Sequence, residues 1–445
     1  MRTHVLAAVC AVAIFVPIKA HATDGYFSHG YGMKAKGMGG ASIAVAQDAF
    51  GGANNPGTMA FAGDQFAIGV DLFSPWRKAE RSGSPPQANL NGSADSGSNY
   101  FGIPEIGYNT MVRPDLSLGV TVYGNGGMNT DYPGGQIPGP SACQGFNPGQ
   151  SSYNLLCGSG KLGVDLSQLV VAPTVAWRFL PDHAIGIAPL FAYQRFKLDG
   201  LQAFDNPFLS TSPGNVTNKG YDSSIGWGVR VGYYGQLTPQ LAIGATYASK
   251  ISMGNFDKYR GLFAESGGFD IPANWGLGVA FKPMPAWLLA LDYGRIEYSD
   301  VKSVGNPSGL ILQCMPNSTS TCLGGPNGAG FGWHSIDVWK LGVQYQIDDQ
   351  WTVRAGYNHS DNPIRPQDVT FNILAPGVVV NHLTLGTTYN WDKKSDLTAA
   401  FMYAFNNSVQ GASLFNNFFP PPQPAMQEKI QLREWALGIQ YSHAF

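Results

Sequence analysis

The chain is short of charge, short of cysteine and, beyond its N-terminus, without a long apolar run. Only 13% of its 445 residues are Asp, Glu, Lys or Arg, whereas soluble domains carry about 25%. Together with a mean hydropathy of −0.09, that shortage implies a surface much of which does not face water. No later segment approaches the roughly 20 apolar residues of a transmembrane helix. A helical membrane protein is therefore excluded. What remains is a soluble exported fold or a transmembrane β-barrel, in which alternate residues meet lipid without any apolar run. The 27 basic and 29 acidic residues form no basic arm or tail, so no nucleic-acid partner is expected. The eight histidines show no metal-ligand spacing, and no metal or cofactor is expected.

The N-terminus reads as a targeting segment. Arg2 and His4 precede an apolar stretch over residues 5–16, and Ala20-His21-Ala22 supplies a small-x-small cleavage site. Residues 1–22 are expected to be a secretory signal peptide, too short in its apolar part to span a bilayer. Cys10 leaves with it. The other four cysteines fall as two close pairs, Cys143 with Cys157 and Cys314 with Cys322, in Gly/Pro/Asn/Ser-rich stretches. In an exported protein these read as two loop-stapling disulfides. A zinc site would favour shorter Cys-x-x-Cys spacing.

What the chain has in quantity is glycine (57 residues) and aromatics (12%), set in period-two alternation. In "EWALGIQYSHAF" one face carries Trp435, Leu437, Ile439, Tyr441, His443 and Phe445, and the other only small or polar residues. Apolar outside and polar inside is the pattern of a membrane barrel. About fourteen such strands are expected, beginning near Gln65, Asn99, Asp115, Leu166, His183, Ser223, Gln240, Phe269, Ala286, Ser335, Gln350, Val378, Ser395 and Ile430. Their connections alternate between short turns such as "RPD" and "DDQ" and long loops at 124–164, 199–220, 300–333 and 406–429. Broken alternation at Arg295 and Ile296, and around Pro189, predicts bulges there. Domain boundaries follow: signal peptide 1–22, an N-terminal hatch at 23–63, and an all-β antiparallel transmembrane barrel at 64–445.

A barrel of this width needs lumen filling. The inward faces carry Asp71, Glu105, Arg178, Arg230, Asp292, Lys340, Arg354 and Glu434, which read mainly as wall-stabilising pairs. The segment 23–63 is glycine-rich, with a short helix expected over 38–48, and its composition suits a plug. It closes on "GGANNPGTMAF" (residues 51–61), where Pro56 fixes a turn and Asn54 and Asn55 can satisfy buried backbone groups.

These features together resemble the long-chain fatty acid transporter family of bacterial outer membranes, which includes importers of monoaromatic hydrocarbons. The opening "DGYFSHGYGMKAKGMGGASIA" is especially similar to the aromatic-hydrocarbon members. The resemblance implies a hatch carrying an Asn-Pro-Ala turn, matched by Asn55 and Pro56 with Gly57 in place of alanine. It also implies an inward kink in the third strand that opens the wall sideways. The stretch Gly124, Asn125, Gly126 and Gly127 matches that position. Hydrophobic ligands would be captured by the outer loops, where Leu201, Phe204, Phe208, Phe415, Phe418 and Phe419 are available. Lumen cations Arg230, Lys250, Lys340 or Arg354 could meet a carboxylate head group. The implied partners are a hydrophobic small molecule, outer-membrane lipid and lipopolysaccharide, and assembly machinery that reads Phe445; a monomer is expected. A water-filled porin is the first rival. An outer-membrane lipase is the second, but "NHSD" at 358–361 places its residues too close along one strand end to form a catalytic triad.

Overall fold

In the computed structural model, residues 24–315, 318–418 and 425–445 are described. Fourteen long strands form a closed antiparallel barrel. In chain order they are β1 (Gln65–Ser82), β2 (Phe101–Arg113), β3 (Leu116–Asn129), β4 (Gly163–Leu180), β5 (His183–Asp199), β6 (Asp222–Thr238) and β7 (Leu241–Ala248). The second half comprises β8 (Asn274–Phe281), β9 (Trp287–Ile296), β10 (Ile336–Gln346), β11 (Trp351–Ser360), β12 (Asn381–Asn390), β13 (Ser395–Ala412) and β14 (Gln427–Ala444). Each pairs with its sequence neighbours, and β14 pairs with β1 to close the ring. Two short strands, Gly92–Asp95 and Ser252–Met253, extend the sheet at its rim. Among the described residues no helix is long and apolar enough to cross a membrane.

Alternation places the apolar set outward. Ile68, Val70 and Leu72 on β1, and Leu437 and Ile439 on β14, are exposed, while Asp71, Glu434 and Gln440 point inward and are buried. This inversion of a soluble protein's pattern is what lipid contact requires. Six tight turns lie at one end. The other end carries the long loops, whose apolar residues merge into one core over the barrel mouth, from Tyr132 and Tyr153 through Phe204, Phe263 and Tyr298 to Trp333, Phe371 and Phe415. Cys143 is bonded to Cys157 and Cys314 to Cys322 within these loops.

Two expected bulges are absent. The register of β4 and β5 is the same at Val171↔Phe191 and Val175↔Ile187, which sets Pro173 opposite Pro189. Two facing prolines remove ladder donors without shifting the register. Arg295 and Ile296 also stay in register with β8 and β10. Arg295 sits at the outer rim, donating to Glu297 and Asp337, and Ile296 turns inward beneath the loop core. The charge belongs to the rim rather than to a distortion.

Candidate functional site

Residues 24–64 run through the barrel interior and touch the wall on all sides. Lys36, at the end of the single helical turn Met33–Lys36, forms buried ion pairs with Asp71 of β1 (3.0 Å) and Glu105 of β2. The Gly32 amide also donates to Glu105 (2.8 Å), and the Met33 amide to Gln440 of β14 (2.7 Å). Lys34 reaches Asp396 of β13 (2.9 Å). The amides of Ser42 and Ile43 converge on Asp292 of β9 at 2.7 and 2.9 Å. These partners take up three of the inward charges noted from the sequence, Asp71, Glu105 and Asp292. Lys36 opposite two inward carboxylates is the signal the sequence reading missed.

The helix expected over 38–48 does not form. Gly39 and Gly40 adopt φ of 68° and 86°, which right-handed helix excludes. The backbone there spends its donors on the wall instead. The wall answers with small residues of its own. A Cβ on Gly356 of β11 would lie 2.0 Å from the Gly39 nitrogen, and one on Gly186 of β5 would lie 2.4 Å from the Pro56 carbonyl carbon. The glycine-rich inner face is thus shaped to the segment it surrounds.

The Asn-Pro turn is the N-terminus of a 3-10 helix, Pro56–Phe61. Asn55 caps it, its Oδ1 accepting from the Gly57 amide (3.0 Å), while its Nδ2 donates to Ile43 O (2.7 Å) and Tyr233 O (2.8 Å). Asn54 Nδ2 donates to Tyr31 O (2.9 Å). Gly57 has no positive φ. It lies close to the wall, where an added Cβ would meet Tyr234 N at 3.0 Å.

Strand β3 departs from the regular ladder at the glycine stretch. Between Gly124↔Leu169 and Gly126↔Gln168 the register to β4 shifts by one, leaving Asn125 as a bulge. Pairing of β3 with β2 ends at Ile106↔Val122. Beyond that point residues 101–105 of β2 pair only with β1. Residues 125–130 lose alternation and are all buried. They pair inward with the start of the N-terminal segment: the Ser28 amide donates to Asn125 O (3.2 Å), and the Gly127 amide to Tyr26 O (3.1 Å). A stretch of the β2–β3 seam therefore has no backbone ladder.

Two cavities adjoin this region. One, of about 90 Å³, lies in the lumen beside Asp24, Tyr31, Arg230, Asp292 and Lys340. The other, of about 30 Å³, lies behind the kink and is walled by Tyr26, Phe73, Met128, Trp333 and Leu432.

The predicted cations separate. Arg230 donates to Asn54 O (3.1 Å) and Lys340 to His29 O (2.8 Å), both reaching the inner segment. Arg354 binds Gln344 and Thr388 within the wall. Lys250 is not in the lumen. It follows the end of β7 in a loop and pairs at the surface with Asp270 (2.8 Å). Among the loop aromatics, Leu201, Phe204 and Phe415 are buried in the cap, with Phe204 against Phe371 at 5.5 Å. Phe208 and Phe418 are exposed; Phe419 and residues 1–22, expected to be a signal peptide, lie outside the described residues. In the same cap burial raises the Asp368 carboxyl pKa, against two hydrogen bonds from Ser308 that lower it.

Residues 150–445 match the family described as outer membrane protein transport protein (OMPP1/FadL/TodX). The chain belongs to that family. Its relatives by family and structure are transport channels, not enzymes. No curated protein sequence matches the chain. The toluene transporter TodX of Pseudomonas putida superposes with a TM-score of 0.66 at 19% identity, covering 94% of this chain and 99% of that one. The toluene transporter TbuX of Ralstonia pickettii gives 0.63 at 17%, covering 94% and 99%. A FadL homologue of Pseudomonas aeruginosa gives 0.63 at 12%, covering 95% and 100%. At these identities the likeness shows the shared fold.

Proposed function

We propose that the chain is a passive uptake channel of a Gram-negative outer membrane for hydrophobic compounds, monoaromatic hydrocarbons or long-chain fatty acids, and that it releases them sideways through the β2–β3 seam. The loop cap captures the ligand from outside, with Phe208 and Phe418 at its surface. The ligand then passes behind the kink and leaves between residues 101–105 and 123–129. The observation that carries this reading is the unladdered seam, where β3 exchanges its pairing with β2 for pairing with the hatch. Parting such a seam breaks side-chain packing but no row of buried backbone hydrogen bonds, which lipid could not replace. No energy source is required for movement down a gradient.

Residues 24–63 act as the hatch, seated by Lys36, Asp292 and the Asn55 cap. A filled lumen weighs against the porin reading. The expected state is a monomer in contact with lipid and lipopolysaccharide, its Phe445 read by the assembly machinery. The test is uptake of radiolabelled toluene and oleate by cells that lack their own transporter and express this protein. Deleting Asn125 restores the β3–β4 register and should abolish the uptake gained. Full uptake with Asn125 deleted would refute lateral release, and no gain for any hydrophobic compound would refute the channel itself.

A further inference from the structure

The β2–β3 ladder stops short of the point where β3 loses its regular form. Its last rung is Ile106↔Val122. Strand β3 stays in register with β4 for two residues more, to Gly124↔Leu169, and only then bulges at Asn125. The two strands are still neighbours at this height: a Cβ on Gly124 would lie 2.9 Å from Cγ2 of Ile103. The rung at Gly124 is therefore missing for a reason that lies in β2. Continuing the register past Ile106↔Val122 places Pro104 opposite Gly124.

The direction of the amides shows what the proline removes. In an antiparallel strand, alternate residues turn their N–H and C=O to opposite neighbours. Asp64, just before β1, gives its backbone oxygen to the amide of Phe445, just after β14. The odd-numbered residues of β1 that follow therefore bond to β2, where their partners are Asn109, Gly107, Glu105 and Ile103. The Met111 amide agrees, since it donates to Asp64 Oδ1 on the β1 side. Ile106, Pro104 and Gly102 thus face β3. A proline fits there at no loss to the β1 ladder, because its missing N–H points at the open edge. The same missing N–H is the donor that Gly124 O would need. Proline alone does not part a wall. Pro173 and Pro189 oppose each other between β4 and β5, yet pairing holds on both sides, at Val171↔Phe191 and Val175↔Ile187. Beyond Pro104 it does not resume, because β3 has by then bulged at Asn125 and turned to residues 26–28.

We propose that Pro104 is the positioning residue that holds the β2–β3 seam unladdered, and so sets the length of the opening through which a hydrophobic compound leaves the barrel. It removes the last rung that regular β3 has to offer, and the bulge at Asn125 keeps the ladder from starting again. Nothing obstructs the outer side of this stretch: Gly102 is exposed, and a Cβ built on it meets no atom within 4 Å. The proposal rests on the lateral-release reading and adds to it the residue on which the opening depends.

Pro104→Val supplies the missing amide on a residue that favours strands. One net hydrogen bond lowers the population of parted seams about fivefold. In the full mature protein in detergent, amide exchange at Gly124 should slow by about that factor, and toluene uptake by cells expressing the variant should fall about fivefold. Pro104→Ala brings the same amide with a smaller side chain and should act alike, which separates the restored donor from crowding at the seam. Pro189→Val restores an amide where pairing already holds on both sides and should leave uptake unchanged. Unchanged exchange at Gly124 in both Pro104 variants overturns the role of Pro104. An equal loss of uptake in Pro189→Val would mark a general effect of replacing a wall proline and overturns it too. Slowed exchange with undiminished toluene uptake keeps Pro104 as the stop of the ladder and overturns the lateral-release reading instead.

Discussion

Two seams of the same wall are built differently. Between β1 and β14 the register runs without a break from Gln65↔Ala444 to Ser82↔Gln427. Between β2 and β3 it runs only from Arg113↔Leu116 to Ile106↔Val122, and then stops. Both seams face outward on one side and the N-terminal segment 24–64 on the other. The difference lies in where β3 sends its backbone donors. At the first seam the ladder between the two strands is continuous. At the second, Gly126 and Gly127 let the strand turn inward, and residues 26–28 take over the pairing. The wall thus acquires a weak line: the inner segment covers the edge of β3, while residues 101–105 of β2 pair on one side only.

The largest effect on this contrast is expected from the anchor of the hatch. Lys36→Met leaves Asp71 and Glu105 buried without a counter-ion, a loss of about 3–5 kcal/mol in hatch seating. Amide exchange should then quicken in residues 123–129, which lean on the hatch, and stay slow in β14. Equal protection in both would contradict the idea that the hatch holds the weak seam. Gly356→Ala acts far from either seam. Its methyl would press on Gly39, and overpacking costs about 1–3 kcal/mol. A lowered temperature for the heat-induced mobility shift on gels should appear, with the exchange contrast between seams preserved. The smallest effect belongs to Gly57→Ala, at about 1 kcal/mol or less. The backbone there has ordinary φ and the neighbouring atoms need give by only a few tenths of an ångström, so complete misfolding of this variant would be the unexpected result.

Much of the fold was legible because lipid exposure writes itself into period two. Trp435, Leu437 and Ile439 against Ala436, Gly438 and Gln440 could be assigned faces from the sequence alone, and so could the alternation of short turns with long loops. Local rules failed where a distant element decided the structure. Residues 38–48 have a helical pattern, but Asp292 and Thr384 of the wall claim their amides. Arg295 looked like a break in alternation because nothing in its own strand announces Asp337 on the next. Lys250, expected among the lumen cations, lies past the end of β7 at Ala248, where alternation no longer sets its face. The kink was visible as glycines, whereas the exchange of pairing partner was not, since it depends on Tyr26 and Ser28 meeting β3 from inside the barrel. Glu434 was marked as inward, yet only the placement of Pro75 and Ala404 beside it reveals that it has no hydrogen-bond partner among the described residues.

The central claim, passage through the β2–β3 seam, can be tested by fastening that seam. A Cβ on Gly124 would lie 2.9 Å from Cγ2 of Ile103, close enough for a disulfide between Ile103→Cys and Gly124→Cys to span the two strands. Toluene uptake by cells expressing the double variant should fall to the level of cells without the protein when oxidised, and recover on reduction. Each single-cysteine variant and the unaltered protein, treated alike, should show no such switch. Undiminished uptake with the crosslink fully formed would place the ligand path elsewhere and contradict the account.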